Sequence, residues 1–367
     1  MSSNIRHVLG ISGGKDSAAL AIYLRSKYPQ LDIEYYFCDT GKELEETYTL
    51  ISNLENYLGK KIKVERAAAD SPENSFDHFV QVYGGYLPSS SARWCTKKLK
   101  LEPFEKFVGN DPVVSYVGIR GDEDREGYIS RKSNIQSIFP FRRNIWSEDV
   151  IQKVLHVDSL SKLVKAYEKQ DLTEKQARIL AAVATPLSRS FNQTHKLNLL
   201  LDAGIAAFNK AAFEVLQETL YPLAKTSEFA LLDNEDTLVR DDIFRILRDS
   251  GVGVPAYYEK IEFEVDGQKG EYSRSRSGCF FCFFQQKIEW VWLYEQHPDL
   301  FARAMEYERQ GYTWMEESLV ELAKPERVRQ IKLDAIKKAS KKTASSSIYL
   351  LDIIDEAEEE GCASCFI

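Results

Sequence analysis

The sequence predicts an α/β fold: a doubly wound parallel sheet with a helical insert and a cysteine-containing C-terminal helical region. Three observations predict it. Short apolar runs alternate with helical stretches through residues 1–146. The first strand-to-helix junction is interrupted by a polar glycine loop, Ser12-Gly13-Gly14-Lys15-Asp16-Ser17. Over residues 147–250 the strand-like runs stop and helical periodicity takes over.

In order, "RHVLGI" reads as a buried strand and "DSAALAIYLRSKYP" as a helix with apolar residues three and four apart. "DIEYYFCDT" is a second strand, ending at Asp39-Thr40-Gly41. "ELEETYTLISNLENYLG" is a helix with acidic residues in its first turn and Gly59 at its end. "KIKVERAA" and "VVSYVGIRG" are a third and a fourth strand, and strands separated by helices imply parallel pairing. The insert, 147–250, reads as successive helices that pack beside the sheet, outside the catalytic core, as a docking element. In the region 251–345, "EKIEFEVDGQKGEYSRS" is a hairpin around Asp266-Gly267, more helices follow, and "KKASKKTASSS" is a solvated linker or frayed end. Residues 346–367 form an acidic tail with a second CxxC.

Composition bounds the function. A chain of 367 residues that is 44% hydrophobic and 28% charged is an ordinary globular protein. No apolar run approaches a membrane span, so no membrane partner is expected and the cytoplasm is the expected location. The net charge of −8 argues against an all-over basic surface but allows a local basic groove. Arg93, Lys97, Lys98 and Lys100 form such a cluster, suited to a nucleotide or nucleic-acid backbone, or else a solvated face.

A strand-to-helix junction gathers free backbone N–H groups and the positive end of a helix dipole. Gly13 and Gly14 let the backbone approach an anion, while Ser12, Lys15 and Ser17 add side-chain donors. The loop is built to hold phosphate, yet its spacing matches neither GxxxxGK[ST] nor GxGxxG. Asp39 and Thr40 end the second strand at the same edge, where they could touch a nucleoside or cap a helix. Arg120 and Arg125 follow the fourth strand in a glycine-flanked loop with Gly118; their guanidinium forks suit phosphate, or pair with Asp122, Glu123 and Asp124.

SGGKDS resembles the PP-loop of the adenine-nucleotide α-hydrolase superfamily, whose members cleave ATP to AMP and pyrophosphate on a doubly wound sheet of the HUP type. Four further segments are similar to those of the phosphoadenosine-phosphosulfate reductase family within it: "FCDTGKELEET", "RWCTKKLKLEPFEKF", "VGIRGDEDREGYISR" and "FPFRRNIWSEDVIQ". The similarity resumes at "GVPAYYEKI". The Glu-Cys-Gly-Leu-His tail of a sulfonucleotide reductase is absent; "SGCFFCFFQQKIEWVWLYEQHPDLFARAMEYE" instead resembles relatives found with DNA phosphorothioation and phage defence. The resemblance implies ATP and Mg2+ as cofactors, the ion held through Asp16 or by the phosphates alone. It makes Ser12, Lys15, Asp16 and Arg120 the catalytic candidates. The nucleotide would be bound by Ser12 to Ser17, Asp39, Thr40, Gly118, Arg120 and Arg125. It further implies an ATP-dependent sulfurtransferase component that adenylates a nucleic acid (DNA foremost, tRNA as the alternative), supplied by a cysteine desulfurase or other sulfur donor and joined by other defence-system subunits. A sulfonucleotide reductase, with Cys365 or Cys95 as nucleophile, and a nucleotide-binding regulatory subunit are the rival readings.

The cysteines leave three arrangements open. A four-iron four-sulfur cluster would take Cys95, Cys279, Cys282 and a fourth ligand, Cys365 from the tail or an external one. Zinc would use the two CxxC pairs, Cys279/Cys282 and Cys362/Cys365, across a gap longer than compact zinc modules show. A thiol relay, or unliganded thiols, is the third. Cys38 reads as core, and the five histidines read as structural. The helical spacing of "IEWVWLYEQHPDL" favours core packing over a platform for bases.

Overall fold

The computed structural model describes residues 5–123, 130, 132–170 and 180–344. Five parallel strands form one sheet: β1 (Arg6–Gly10), β2 (Ile33–Cys38), β3 (Lys63–Glu65), β4 (Val113–Tyr116) and β5 (Ile135–Ile138). Their spatial order is β3-β2-β1-β4-β5. The chain therefore builds outward from β1 in one direction, then returns to build from β4 in the other. In such sheets the crevice where the order reverses, beside the carboxyl ends of the strands, is where ligands bind.

Helices α1 (Lys15–Lys27) and α2 (Glu45–Leu58) cover one face. α1 has Asp16 in its first turn and Arg25 and Lys27 in its last, so its charges complement the helix dipole. α2 is amphipathic, burying Leu50, Ile51, Leu54 and Leu58, and Gly59 ends it in the left-handed conformation. α1 buries its whole length from Lys15 to Leu24 because a second layer lies over it. That layer comes from the 147–250 segment, with helices α6 (Glu148–Leu155) and α7 (Leu160–Glu168) and further helices at Gln193–Ala203, Ile205–Leu216 and Arg240–Asp249. Leu163, Phe208, Leu216 and Leu247 share one core with Leu20, Leu54 and Tyr116. Polar bonds fasten the layer: the Tyr23 hydroxyl lies within hydrogen-bond reach of Asn234 Oδ1 (2.8 Å) and Asp236 Oδ2 (2.7 Å), and Leu223 N donates to Gln136 (3.0 Å).

The opposite face carries a helical run from Trp94 to Val108, with α5 (Glu102–Val108) packing Phe104 on Tyr36 at 5.2 Å. A wide π turn occupies Lys97–Leu101. Pro103, in the first turn of α5, has no N–H to give the preceding turn, which is where the helix ladder loosens. β5 was not expected as a strand, because "IQSI" offers only two apolar residues; it is buried at every position.

The C-terminal region adds a second core around Trp290, Trp292, Trp314 and Phe76. The two helix tryptophans are buried in it, as the spacing predicted. The hairpin β6 (Ile261–Val265) and β7 (Gln268–Tyr272) turns through Asp266 and Gly267, both at positive φ. "KKASKKTA" corrects the reading of a linker: it continues the helix Pro325–Ala344, with Lys337 and Lys338 exposed. No helix among the described residues is long and apolar enough to cross a membrane.

Candidate active site

The Ser12–Ser17 loop leaves β1 at the switch crevice, and the Gly118–Arg120 loop leaves β4 on its other side. The phosphate loop is a compact turn. Gly14 N donates to Ser12 Oγ (3.3 Å), Ser12 N to Ser17 Oγ (3.1 Å), and Ser17 Oγ to the Gly14 carbonyl (3.2 Å). Gly13 has φ +74°, and a Cβ there would lie 2.2 Å from Thr47 Cγ2. A Cβ on Gly14 would meet Ser277 Oγ at 2.6 Å, and one on Gly118 the Asp16 carbonyl at 2.9 Å. The three glycines are therefore contact positions where chain segments touch.

Lys15, Asp16 and Arg120 are all buried and form one charged cluster. Lys15 Nζ lies 3.2 Å from Asp16 Oδ2, and Arg120 Nη1 donates to Asp16 Oδ1 at 2.8 Å. Burial opposes the Asp16 charge, but Lys15 and Arg120 outweigh it and hold the carboxyl below its ordinary range. Burial pushes the Lys15 ammonium down, against the pull of Asp16. Arg120 also pairs with Asp122 (2.9 Å) and Glu123 (2.8 Å); burial works against its charge, yet Asp16 and Glu123 hold it above its ordinary value. Both Asp16 oxygens are thus engaged by Lys15 and Arg120. Arg125 lies outside the described residues.

Asp39 is spent on its own turn. Its Oδ1 accepts from Gly41 N (2.9 Å) and the Tyr48 hydroxyl (3.0 Å), and its Oδ2 from Arg66 Nε (3.1 Å). Thr40 points elsewhere: its hydroxyl donates to Glu43 (2.6 Å) and sits 3.3 Å from Cys279 Sγ. Glu43 is a group that motif reading missed. Burial, with Asp39 adding to it, raises its carboxyl above the ordinary range.

Cys95, Cys279 and Cys282 line one cavity of about 50 Å3 together with Thr40, Lys100 and Phe284. Three distant segments build it: the end of β2, the helical run after Arg93, and the loop from Arg274 to Phe284. Gly278, at φ +106°, turns the chain into Cys279, and Phe280 N donates to the Lys42 carbonyl (2.9 Å). Burial pushes the Cys95 thiol up to about 12, with Cys282 adding and Lys100 opposing; burial likewise raises Cys279. Without a bound electrophile or metal these two thiols keep their protons at neutral pH.

Among the described residues no group of three or more His, Cys, Asp or Glu is arranged to hold a metal ion. Cys362 and Cys365 lie outside the described residues. Arg274 is buried and donates Nη2 to the Cys279 carbonyl (3.0 Å), while its Nε and Nη1 have no hydrogen-bond partner. The Gln285 amide, three residues past Cys282, is also unpartnered. Buried donors without acceptors are costly, but neither side chain is among those that line the cavity.

The cavity and the phosphate loop meet at Ser277, which lines the one and packs against Gly14 of the other. Lys15 Nζ reaches the Ser275 carbonyl (3.5 Å), and Tyr257 donates to the Gly13 carbonyl (3.0 Å). Tyr258 accepts from Lys15 N (3.4 Å). Ser277, Tyr257 and Tyr258 were not read as site residues, although "GVPAYYEKI" and the cysteine loop had been singled out. Cys38 is core: buried, its Sγ facing the Lys100 carbonyl at 3.7 Å.

Residues 6–145 match the family model of the phosphoadenosine phosphosulfate reductase domain. Among curated proteins, an uncharacterized protein of Methanocaldococcus jannaschii is 36% identical over 145 residues, covering 36% of this chain and 28% of that protein. A tRNA-specific 2-thiouridylase of Pasteurella multocida is 23% identical over 183 residues, covering 45% of this chain and 46% of its own. That of Aeromonas hydrophila is 23% identical over 126 residues, covering 32% and 33%. The matches thus span less than half the length of each of these relatives. No solved structure matches the chain. With its parallel sheet, its SGGKDS loop at the switch crevice and this family match, the chain carries a phosphoadenosine phosphosulfate reductase domain of the PP-loop superfamily across residues 6–145.

Proposed function

We propose that this chain is an ATP-dependent sulfurtransferase component that forms AMP and pyrophosphate and adenylates a nucleic acid, with DNA as the first substrate to test. One observation carries the reading: Ser277, which lines the three-thiol cavity, packs against Gly14 of the phosphate loop. Activation and sulfur chemistry would then occur a short distance apart.

The loop Ser12–Ser17 holds the pyrophosphate portion of ATP, and Lys15 and Arg120 offset charge as the bond to the α-phosphorus breaks. A substrate oxygen attacks that phosphorus, pyrophosphate leaves, and the oxygen becomes part of a good leaving group. A sulfur nucleophile from a cysteine desulfurase or another donor then displaces AMP. Cys95, Cys279 and Cys282 would hold an iron–sulfur cluster, which supplies sulfur or electron chemistry when bound. Relatives named as tRNA thiouridylases support sulfur delivery to a nucleic acid, so tRNA is the second substrate to test. Further subunits of a defence assembly are partners that rest on the motif resemblance alone.

The test is product analysis with α-labelled ATP, together with metal analysis after anaerobic purification. AMP, iron and acid-labile sulfide are the expected results, with colour lost in Cys95→Ala, Cys279→Ala and Cys282→Ala and kept in a chain ending at residue 345. ADP as product would overturn the nucleotide assignment, and stoichiometric zinc without iron would overturn the cluster. The name of the matched domain favours a second reading, sulfonucleotide reduction. Sulfite release from phosphoadenosine phosphosulfate with a dithiol reductant would select it.

A further inference from the structure

Phe284 lies at the rim of the thiol cavity, half-buried, its ring 4.3 Å from that of Phe283. Arg93 places its guanidinium carbon 5.0 Å from the Phe284 ring centroid, and Arg276 places its own at 5.5 Å. One aromatic ring thus holds two cations from segments 183 residues apart in sequence (276 − 93). Arg93 is exposed, and so is Lys97 one turn on. The same neighbourhood carries half-exposed tyrosines. The Tyr83 ring lies 5.2 Å from that of Trp94, and the Trp94 indole donates to the Tyr86 carbonyl. The chain as a whole is acidic, so cations interleaved with aromatic rings here mark a local departure.

We infer that the rim of the thiol cavity is a stacking site for an unpaired nucleotide of a nucleic-acid strand, with the exposed Arg93 guanidinium, backed by Phe284, as its platform and Arg276 as a second cation. The inference rests on the nucleic-acid reading above and deepens it. Aromatic faces and guanidinium planes stack on bases, and guanidinium edges meet phosphates. A guanidinium backed by a ring on one side can still stack a base on its other side. Double-stranded nucleic acid offers only base edges in its grooves, so a platform beside a cavity selects a splayed or single-stranded nucleotide. Stacking there would put the nucleotide's own atoms at the cavity mouth, next to Cys282 and Cys95.

The experiment is fluorescence anisotropy on the full-length chain with a labelled oligonucleotide of about 20 residues. It is offered as a single strand, as its duplex, and as a strand with abasic sites. The wild type should bind the single strand more tightly than the duplex. Phe284→Ala should weaken single-strand binding about tenfold and leave abasic-strand binding unchanged. Phe284→Leu, which keeps apolar volume against Phe283, should show the same loss and separates stacking from collapse of the rim. Arg93→Gln should reduce the salt slope by about 0.7, the share of one phosphate contact. Wild-type affinity in both Phe284 variants, or equal binding of duplex and single strand, overturns the stacking site while leaving sulfur transfer to nucleic acid standing. No binding of any strand by the wild type overturns both.

Discussion

Lys196 is fully buried, and its ammonium donates to the carbonyls of Val183 (2.8 Å) and Thr185 (2.6 Å), closing the end of the helix Leu180–Ala184. Burial lowers its pKa from 10.5 to about 8. The sign of the effect follows. Between about pH 8 and 10.5 the unfolded chain holds a proton at this position that the folded chain has released, so raising pH across that window stabilises the fold. Denaturant midpoints for wild type and Lys196→Met, compared from pH 7 to 10.5, should therefore diverge as pH rises, with the wild type gaining. Equal slopes would show that the lysine titrates normally. At the same scale, Gly118→Ala would drive a methyl into the Asp16 carbonyl, 2.9 Å away. We expect about 1–3 kcal/mol of destabilisation and weaker ATP binding by calorimetry, because Asp16 carries the contacts to both Lys15 and Arg120.

The phosphate loop shows what an element-level motif reveals. Its glycines were legible as anion-binding positions because backbone approach needs them. Their second role was not legible, since it depends on partners remote in the chain. Gly13 abuts Thr47 on α2, and Gly14 abuts Ser277 beside the cysteines. A double-mutant cycle separates the two roles. Gly13→Ala should destabilise by about 1–2 kcal/mol through its positive φ and its clash with Thr47 Cγ2. Thr47→Ser, which removes that methyl, should restore part of the loss but not the backbone strain. Full additivity in thermal unfolding would mean the contact carries no energy. α1 teaches the complementary lesson. Its spacing suggested one buried face, whereas the helix is buried all round, because periodicity cannot foretell that a segment two hundred residues later will cover the other side. β5 and Glu43 were missed for a similar reason: short or polar stretches acquire their role from neighbours.

At the scale of the whole molecule, the helices of residues 147–250 were expected beside the sheet and outside the catalytic core. They carry none of the thiol cavity's lining residues, yet they complete the core over α1 and reach the loop beside the phosphate site, where Gly121 N donates to the Leu238 carbonyl (2.9 Å) and Arg240 N to Asp122 (3.4 Å). Tyr23 and Lys27 on α1, and Tyr28 that caps it, all bond to Asn234 or Asp236. Excising 147–250 and joining the ends should therefore give an unfolded or aggregating product, seen as loss of a cooperative melt, instead of a minimal ATP-cleaving domain. A folded, ATP-binding product would show that the sheet has a sufficient core of its own.

The thiol cavity also has a history in time. Thr40 and Cys279, in contact at 3.3 Å, are separated by 239 positions. Contacts that span so much chain form late, because loop closure must precede any gain from them. The sheet and its first helices can nucleate while the cavity's third wall is still unsynthesised, since the loop Arg274–Phe284 leaves the ribosome long after them. Interactions absent from the folding transition state govern the unfolding rate and leave the folding rate nearly untouched. In stopped-flow chevrons, Thr40→Val should steepen escape from the native state and hardly alter the refolding limb. The cavity would then be the part of the protein that a cell finishes last and loses first.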